Sequence, residues 1–208
     1  MKRNPKDLLR HTARERINHW IVAICFILIA LSGLAFFHPA LWPLTQLFGG
    51  GVWTRILHPF IGVMLVIAFA SMFIHFRSLN GMTPTDWEWI KRAGEMINGD
   101  DRNMPAQGKY NGGQKLLFWA VSICLVLMVL SGIVMWRAYF SFPLTLVRLA
   151  AVIHAAVAAT LIGLIFIHIY AAIWTSGTIR AMLYGTVTRA WAKQHHADWY
   201  YQMTGGSP

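Results

Sequence analysis

Four stretches of this chain are long enough and apolar enough to cross a bilayer: Ile21–Phe37, Val52–Phe76, Leu116–Trp136 and Leu149–Trp174. A crossing segment needs roughly 17–25 predominantly apolar residues, because a helix rises about 1.5 Å per residue and the hydrocarbon core is about 30 Å thick. The first stretch has 17 residues and extends through Trp20. In hydrocarbon every backbone N–H and C=O must find a partner inside its own segment, so such stretches are helices. The composition agrees: 56% of the residues are hydrophobic and 12% charged, against about 25% charged in soluble domains. The expected fold is an all-α integral membrane protein, a four-helix transmembrane bundle. It forms a single membrane domain over 1–208, with spans near 20–37, 52–76, 116–136 and 149–174. The basic N-terminus meets the first span without a small-residue cleavage site, so no cleaved signal peptide is expected.

Charge orients the bundle. Lys2, Arg3, Lys6, Arg10, Arg14 and Arg16 precede the first span, and Arg77, Lys91, Arg92, Arg102 and Lys109 lie between the second and third. Arg180, Arg189 and Lys193 follow the fourth, whereas the turn 37–52 has no Lys or Arg. The positive-inside rule therefore puts both termini and the 77–115 loop in the cytoplasm. The net charge of +10 reports topology. No basic face interleaved with stacking aromatics points to nucleic acid. Cys25 and Cys124 form neither a CxxC nor a CxxCH motif, so any haem is held non-covalently.

Histidine spacing carries the chemistry. His154 and His168 stand fourteen residues apart in the fourth span, which leaves them about 40° apart on one face and about 21 Å apart along the axis. The span runs inward, so His154 is outer and His168 inner. The same depth argument makes His58 outer and His19 inner. His58 with His154, and His19 with His168, then form two depth-matched imidazole pairs, suited to two b-type haems. His75 lies about 100° around the helix from His58 and is expected at the cytoplasmic interface. His11, His38, His195 and His196 are expected to be solvated.

Gly33 follows His19 by the same fourteen residues, where it leaves room for a macrocycle at outer depth. Gly62 and Gly132 are further haem-packing candidates, and all three equally suit close helix approach. The segments Ala30-Leu31-Ser32-Gly33-Leu34 and Val129-Leu130-Ser131-Gly132-Ile133 repeat weakly. Pro59 follows His58 and is positioned to kink its helix. Arg16 and Arg55 precede His19 and His58 by three residues, on the same helix face. Each is a candidate partner for a haem propionate, with interfacial anchoring the alternative.

The blocks Asn18-His19-Trp20, Arg55-Ile56-Leu57-His58-Pro59, Gly108–Lys115, Ile153-His154-Ala155-Ala156 and Ile167-His168-Ile169-Tyr170, with the ending Arg189–His196, resemble the cytochrome b (gamma) subunit of enterobacterial respiratory formate dehydrogenases. Among the isoenzymes, the aerobically expressed one is the nearer likeness. The resemblance implies two haem b groups, ligated by His58 and His154 on the periplasmic side and by His19 and His168 on the cytoplasmic side. It implies an iron–sulfur beta subunit and a molybdenum-containing alpha subunit as partners, and an oligomer of that heterotrimer in the bacterial inner membrane. Electrons would pass from the beta subunit through the outer and then the inner haem to a quinone, menaquinone or ubiquinone, reduced at the cytoplasmic side. The quinone site it implies involves Asn111, Gly112, Gly113, Gln114 and His168. Residue by residue that is reasonable: the amides can hydrogen-bond a carbonyl and the glycines let a headgroup approach, although a glycine-rich turn starting a helix has the same look.

The chain offers no molybdenum ligand set and no cysteine cluster, so formate oxidation belongs to another subunit. The chain is expected to be the quinone-reducing part of a formate:quinone oxidoreductase. The alternative within the class is the cytochrome b of a nickel–iron hydrogenase or a similar respiratory reductase. A histidine-relay transporter and an inert anchor are the other readings, and the transporter is weakened because no carboxylate lies inside a span.

Overall fold

The computed structural model describes residues 7–98 and 104–206 of the chain. Lys2, Arg3, Lys6 and Arg102 of the basic set lie outside the described residues. In chain order the elements are β1 (Leu8–Leu9), α1 (Ala13–Phe37), a 3-10 helix (Pro39–Phe48), α2 (Gly51–Phe76), a second 3-10 helix (Arg77–Asn80), α3 (Pro84–Lys91), α4 (Ala93–Ile97), α5 (Gly112–Met135), α6 (Leu144–Trp174), α7 (Thr178–Tyr184), β2 (Thr186–Val187), α8 (Arg189–His195) and α9 (Ala197–Thr204). Four of them, α1, α2, α5 and α6, are long and apolar enough to cross a membrane. Their surfaces carry exposed Ile24, Ile67, Val126 and Val152. In lipid such side chains lose nothing by facing outward, because the surrounding tails are as apolar as they are.

Two of these helices begin before their apolar runs, for the same reason. At α1, the Thr12 N–H donates to Glu15 Oε2 at 2.7 Å and the Glu15 N–H to Thr12 Oγ1 at 3.3 Å. At α5, the Asn111 N–H donates to Gln114 Oε1 at 3.1 Å and the Gln114 N–H to Asn111 Oδ1 at 2.9 Å. Both are reciprocal capping boxes, which satisfy orphan N–H groups of the first turn. Pro59 lies within α2.

The chain divides into two compact units: Ile17–Ile74 with Val121–Ile167, and Met1–Arg16 with His75–Ala120 and His168–Pro208. The first, which we call the helical unit, has a core of Cys25, Leu65, Phe69, Leu125 and Leu161. All four long helices contribute to it.

The second, the terminal unit, is built around Leu8, Ala181, Val187, Trp191, Ala192 and Trp199. β1 and β2 pair antiparallel, Leu8 with Val187 and Leu9 with Thr186. Arg10 is buried there, its guanidinium 4.9 Å from the Trp191 ring and 5.1 Å from the Trp199 ring. It donates to the Lys109 carbonyl at 2.6 Å and to His196 Nε2 at 3.1 Å. His196 Nδ1 in turn donates to the Gly108 carbonyl at 2.7 Å. The solvated reading of His11 and His196 is thereby corrected: they are 8% and 1% exposed. The tails that carry them fold against each other, and His11 stacks on Tyr110 at 6.3 Å.

Candidate functional site

In the helical unit, α2 and α6 bring His58 and His154 together, with ring centroids 6.3 Å apart and ring planes at 66°. Each imidazole is held by a serine on a different helix. Ser32 Oγ on α1 lies 2.8 Å from His58 Nδ1, and Ser131 Oγ on α5 lies 2.9 Å from His154 Nδ1. The glycine after each serine faces the ring. A Cβ at Gly33 would stand 3.2 Å from His58 Cε1, and one at Gly132 would stand 3.5 Å from His154 Cε1. The two Leu-Ser-Gly segments are therefore matching cradles, one per imidazole. Gly62 differs, since its Cβ position meets the Ile29 side chain at 3.1 Å and eases a helix contact.

The spacing of this pair would suit a metal held between the two imidazoles. Metal–imidazole bonds are about 2 Å long, so two in line, with the ring radii added, separate the centroids by about 6 Å. With each Nδ1 engaged by a serine, Nε2 is the nitrogen left for a metal. Among the described residues no group of three or more His, Cys, Asp or Glu side chains gathers to hold an ion. The donor set is two imidazoles, to which a porphyrin adds its own four nitrogens.

His19 and His168 belong to different units. His19 is partly buried in the helical unit, edge-on to Trp20 at 5.5 Å, and His168 is partly buried in the terminal unit. His75, set aside on helix geometry, bonds Glu15 Oε1 at 2.8 Å with its own side chain largely exposed. Arg16 donates to the Leu183 carbonyl, and Arg55 is exposed at the start of α2.

The segment Asn111–Gln114 forms the start of α5. Its side-chain oxygens serve the capping box, which leaves the two amide NH2 groups for other acceptors. The room expected beside its glycines is filled by α3. A Cβ at Gly112 would stand 2.4 Å from the Asp86 carbonyl oxygen, and one at Gly113 would stand 2.9 Å from the Trp89 ring. Nearby, Lys115 Nζ bonds Asp86 Oδ2 at 2.7 Å. Burial pushes the Asp86 carboxyl up, but the bonds from Lys115 and Thr83 outweigh it and hold the group below the usual carboxylate range. These glycines thus dock α5 on α3.

Sequence reasoning missed Ser32 and Ser131. The signal was the repeat itself, noticed for its glycines, since a helical serine ordinarily bonds its own backbone and attracts no attention.

Comparison with known proteins places these residues in a lineage. The profile of the prokaryotic cytochrome b561 family matches residues 10–185. The chain is 44% identical over 205 residues to the formate dehydrogenase cytochrome b556(fdo) subunit of Escherichia coli K12, covering 98% of this chain and 96% of that one. It is 41% identical over 200 residues to the nitrate-inducible cytochrome b556(Fdn) subunit of the same strain, covering 95% and 92%. With the formate dehydrogenase cytochrome b556 subunit of Haemophilus influenzae it shares 38% over 199 residues, covering 95% and 84%. The matched stretch spans all four long helices, and the chain belongs to the prokaryotic cytochrome b561 family.

Proposed function

We propose that this chain is the di-haem cytochrome b subunit of a formate dehydrogenase. It carries electrons from a periplasmic iron–sulfur beta subunit, fed by a molybdenum-containing alpha subunit, to a quinone reduced on the cytoplasmic side of the bacterial inner membrane. The observation that carries the reading is the His58–His154 pair, at a spacing suited to one metal between two imidazoles. The names of the relatives favour formate over hydrogen as the upstream donor. A bound haem supplies one-electron chemistry at a buried site. The protein's part is to ligate it and to hold it at a fixed depth.

In this reading His58 and His154 hold the outer haem, and His19 and His168 hold the inner one. Gly33 keeps the His58 imidazole clear of a side chain, and Gly132 faces the His154 imidazole at ordinary contact distance. Arg55, exposed at the outer end of α2, is free to pair with an outer propionate. Arg16 has its Leu183 carbonyl bond and retains further N–H groups for an inner one. The quinone carbonyl accepts from the NH2 groups of Asn111 and Gln114, with His168 close by, and α3 fixes those amides by packing on Gly112 and Gly113. The chain sits as a single membrane domain, 1–208, with both termini and the 77–115 loop cytoplasmic, in an oligomer of the heterotrimer.

The test is a reduced-minus-oxidised spectrum of membranes carrying the intact complex. Formate should reduce two b-type components, hydrogen none. Alanine at His58 or His154 should delete one, and alanine at His19 or His168 the other. Asn111→Asp keeps the cap oxygen and removes the NH2 group, so it should weaken binding of a quinone-site inhibitor while both haems remain reducible by formate. A colourless complex, or four histidine variants with unchanged spectra, rejects the haem assignment. Unaltered inhibitor binding in Asn111→Asp removes that residue from the quinone site.

A further inference from the structure

Ser32 and Ser131 also lie within hydrogen-bond distance of backbone carbonyls of their own helices, and this bears on where the protons sit. Ser32 Oγ lies 3.0 Å from the Ile29 carbonyl oxygen, and Ser131 Oγ lies 2.7 Å from that of Leu127 and 3.2 Å from that of Met128. A carbonyl oxygen only accepts, and a serine hydroxyl has one proton to give. That proton goes to the helix backbone. The contacts at 2.8 Å and 2.9 Å between the hydroxyls and the imidazoles are then made with the hydroxyl oxygen as acceptor and Nδ1–H as donor, and the Met128 carbonyl is a further acceptor for His154. The opposite arrangement would leave two oxygens facing each other without a proton, a buried polar conflict.

We propose that Ser32 and Ser131 are positioning residues that fix His58 and His154 as Nδ1–H tautomers, each leaving its Nε2 lone pair to a haem iron. The proposal rests on the haem reading above. The same chain of imidazole, hydroxyl and backbone carbonyl occurs twice, from α1 onto α2 and from α5 onto α6. A neutral hydroxyl does this without bringing a charge into the bilayer, where a carboxylate would be costly. It also leaves an electronic mark: a hydrogen bond from Nδ1–H raises the ligand's basicity, which favours the oxidised iron and keeps the midpoint potential low.

The experiment uses the membrane-bound complex with Ser32→Ala, Ser131→Ala, the corresponding threonine variants, and His58→Ala as reference. Readouts are a redox titration of the b-type absorption, the low-spin EPR signals, and haem retention in detergent. In each alanine variant the haem component that His58→Ala deletes should titrate at higher potential, show an altered EPR signal, and be retained about 10–100-fold less well. The other component should stay as in the parent, and threonine, which keeps the hydroxyl, should restore parental behaviour. If Ser32→Ala fails to assemble, Ser131→Ala carries the same test on the same haem. Parental potential, EPR signal and retention in the alanine variants overturn the proposal while leaving the haem reading intact. Equal shifts in alanine and threonine variants overturn it too, since bulk and not the hydroxyl would then be the cause. If His58→Ala deletes no haem, the haem reading falls first and takes this one with it.

Discussion

At the level of single residues, the glycines separate into tight and tolerant positions. At Gly33 an added methyl would meet His58 Cε1 at 3.2 Å, and the ring is not free to turn away because Ser32 holds the adjacent Nδ1. At Gly132 the corresponding distance is 3.5 Å, an ordinary contact. Gly112 is the extreme, where the obstacle is backbone at 2.4 Å. Alanine should therefore cost about 1–3 kcal/mol at Gly33 and Gly112, the range for overpacking. At Gly132 it should fall within about 0.5 kcal/mol, or stabilise slightly through its better helix propensity. Thermal unfolding of the purified complex, followed by loss of the haem band and by circular dichroism, would rank the three. Gly132→Ala proving the most damaging would contradict the geometry. Arg10 has the opposite character, a buried charge that must keep its partners. Burial lowers its pKa to about 10, so it stays protonated at neutral pH. Arg10→Met would strip the Lys109 carbonyl and His196 Nε2 of their donor, at about 1–3 kcal/mol for each group left unpaired. Limited proteolysis at the C-terminal segment should report it first.

Among the elements, the start of α5 is under two demands. Asn111→Ala removes the cap oxygen and should cost about 0.5–2 kcal/mol, read as faster hydrogen exchange over the first turn of α5. Asn111→Asp should leave that exchange unchanged. The four long helices were legible because apolar runs of that length have no other solution. Their starts at Ala13 and Gly112 were not, because capping boxes lie in polar sequence ahead of the run. β1 and β2 are two residues each, too short for any alternation to be read. The burial of α8 and α9 was hidden for another reason. It depends on Arg10 at the other end of the chain stacking on Trp191 and Trp199, and no local pattern announces a contact of that range. The His58–His154 pair was legible from depth, read from the charge distribution and the run of each span, whereas its serine partners were not.

That C-terminal segment should be sensitive to acid. Burial first, then the Arg10 charge, holds the His196 imidazole well below its ordinary value, although its bond to Gly108 acts the other way. When α8 and α9 are undocked, His196 takes up a proton near pH 6.5, and docked it does not. Docking is thus at full strength above about pH 6.5 and weakens as pH falls below it, by at most about 1.4 kcal/mol per pH unit. Hydrogen exchange over 189–204 should accelerate from pH 7.5 to pH 5.5, after correction for the intrinsic rate. His196→Gln should flatten that dependence, and an equally steep response in the variant would assign it to another group.

On the scale of the whole molecule, function depends on which way the bundle faces. In the proposed reading, two haems at different depths separate charge across the membrane only if the outer one receives electrons and the inner one delivers them to a quinone. Orientation rests on the distribution of Lys and Arg, absent from the turn 37–52 and abundant at the termini and in the 77–115 loop. The chain is well suited to a direct check, because Cys25 is buried and Cys124 partly so, which keeps the labelling background low. Leu47, in the 3-10 helix between α1 and α2, is 66% exposed, and Gln202 in α9 is exposed as well. In spheroplasts a membrane-impermeant maleimide should label Leu47→Cys and spare Gln202→Cys, which should react only once the inner membrane is opened. The reverse order would put His58 and His154 at the cytoplasmic face. The quinone would then be reduced on the same side as formate is oxidised, and electron transfer through the chain would build no transmembrane potential.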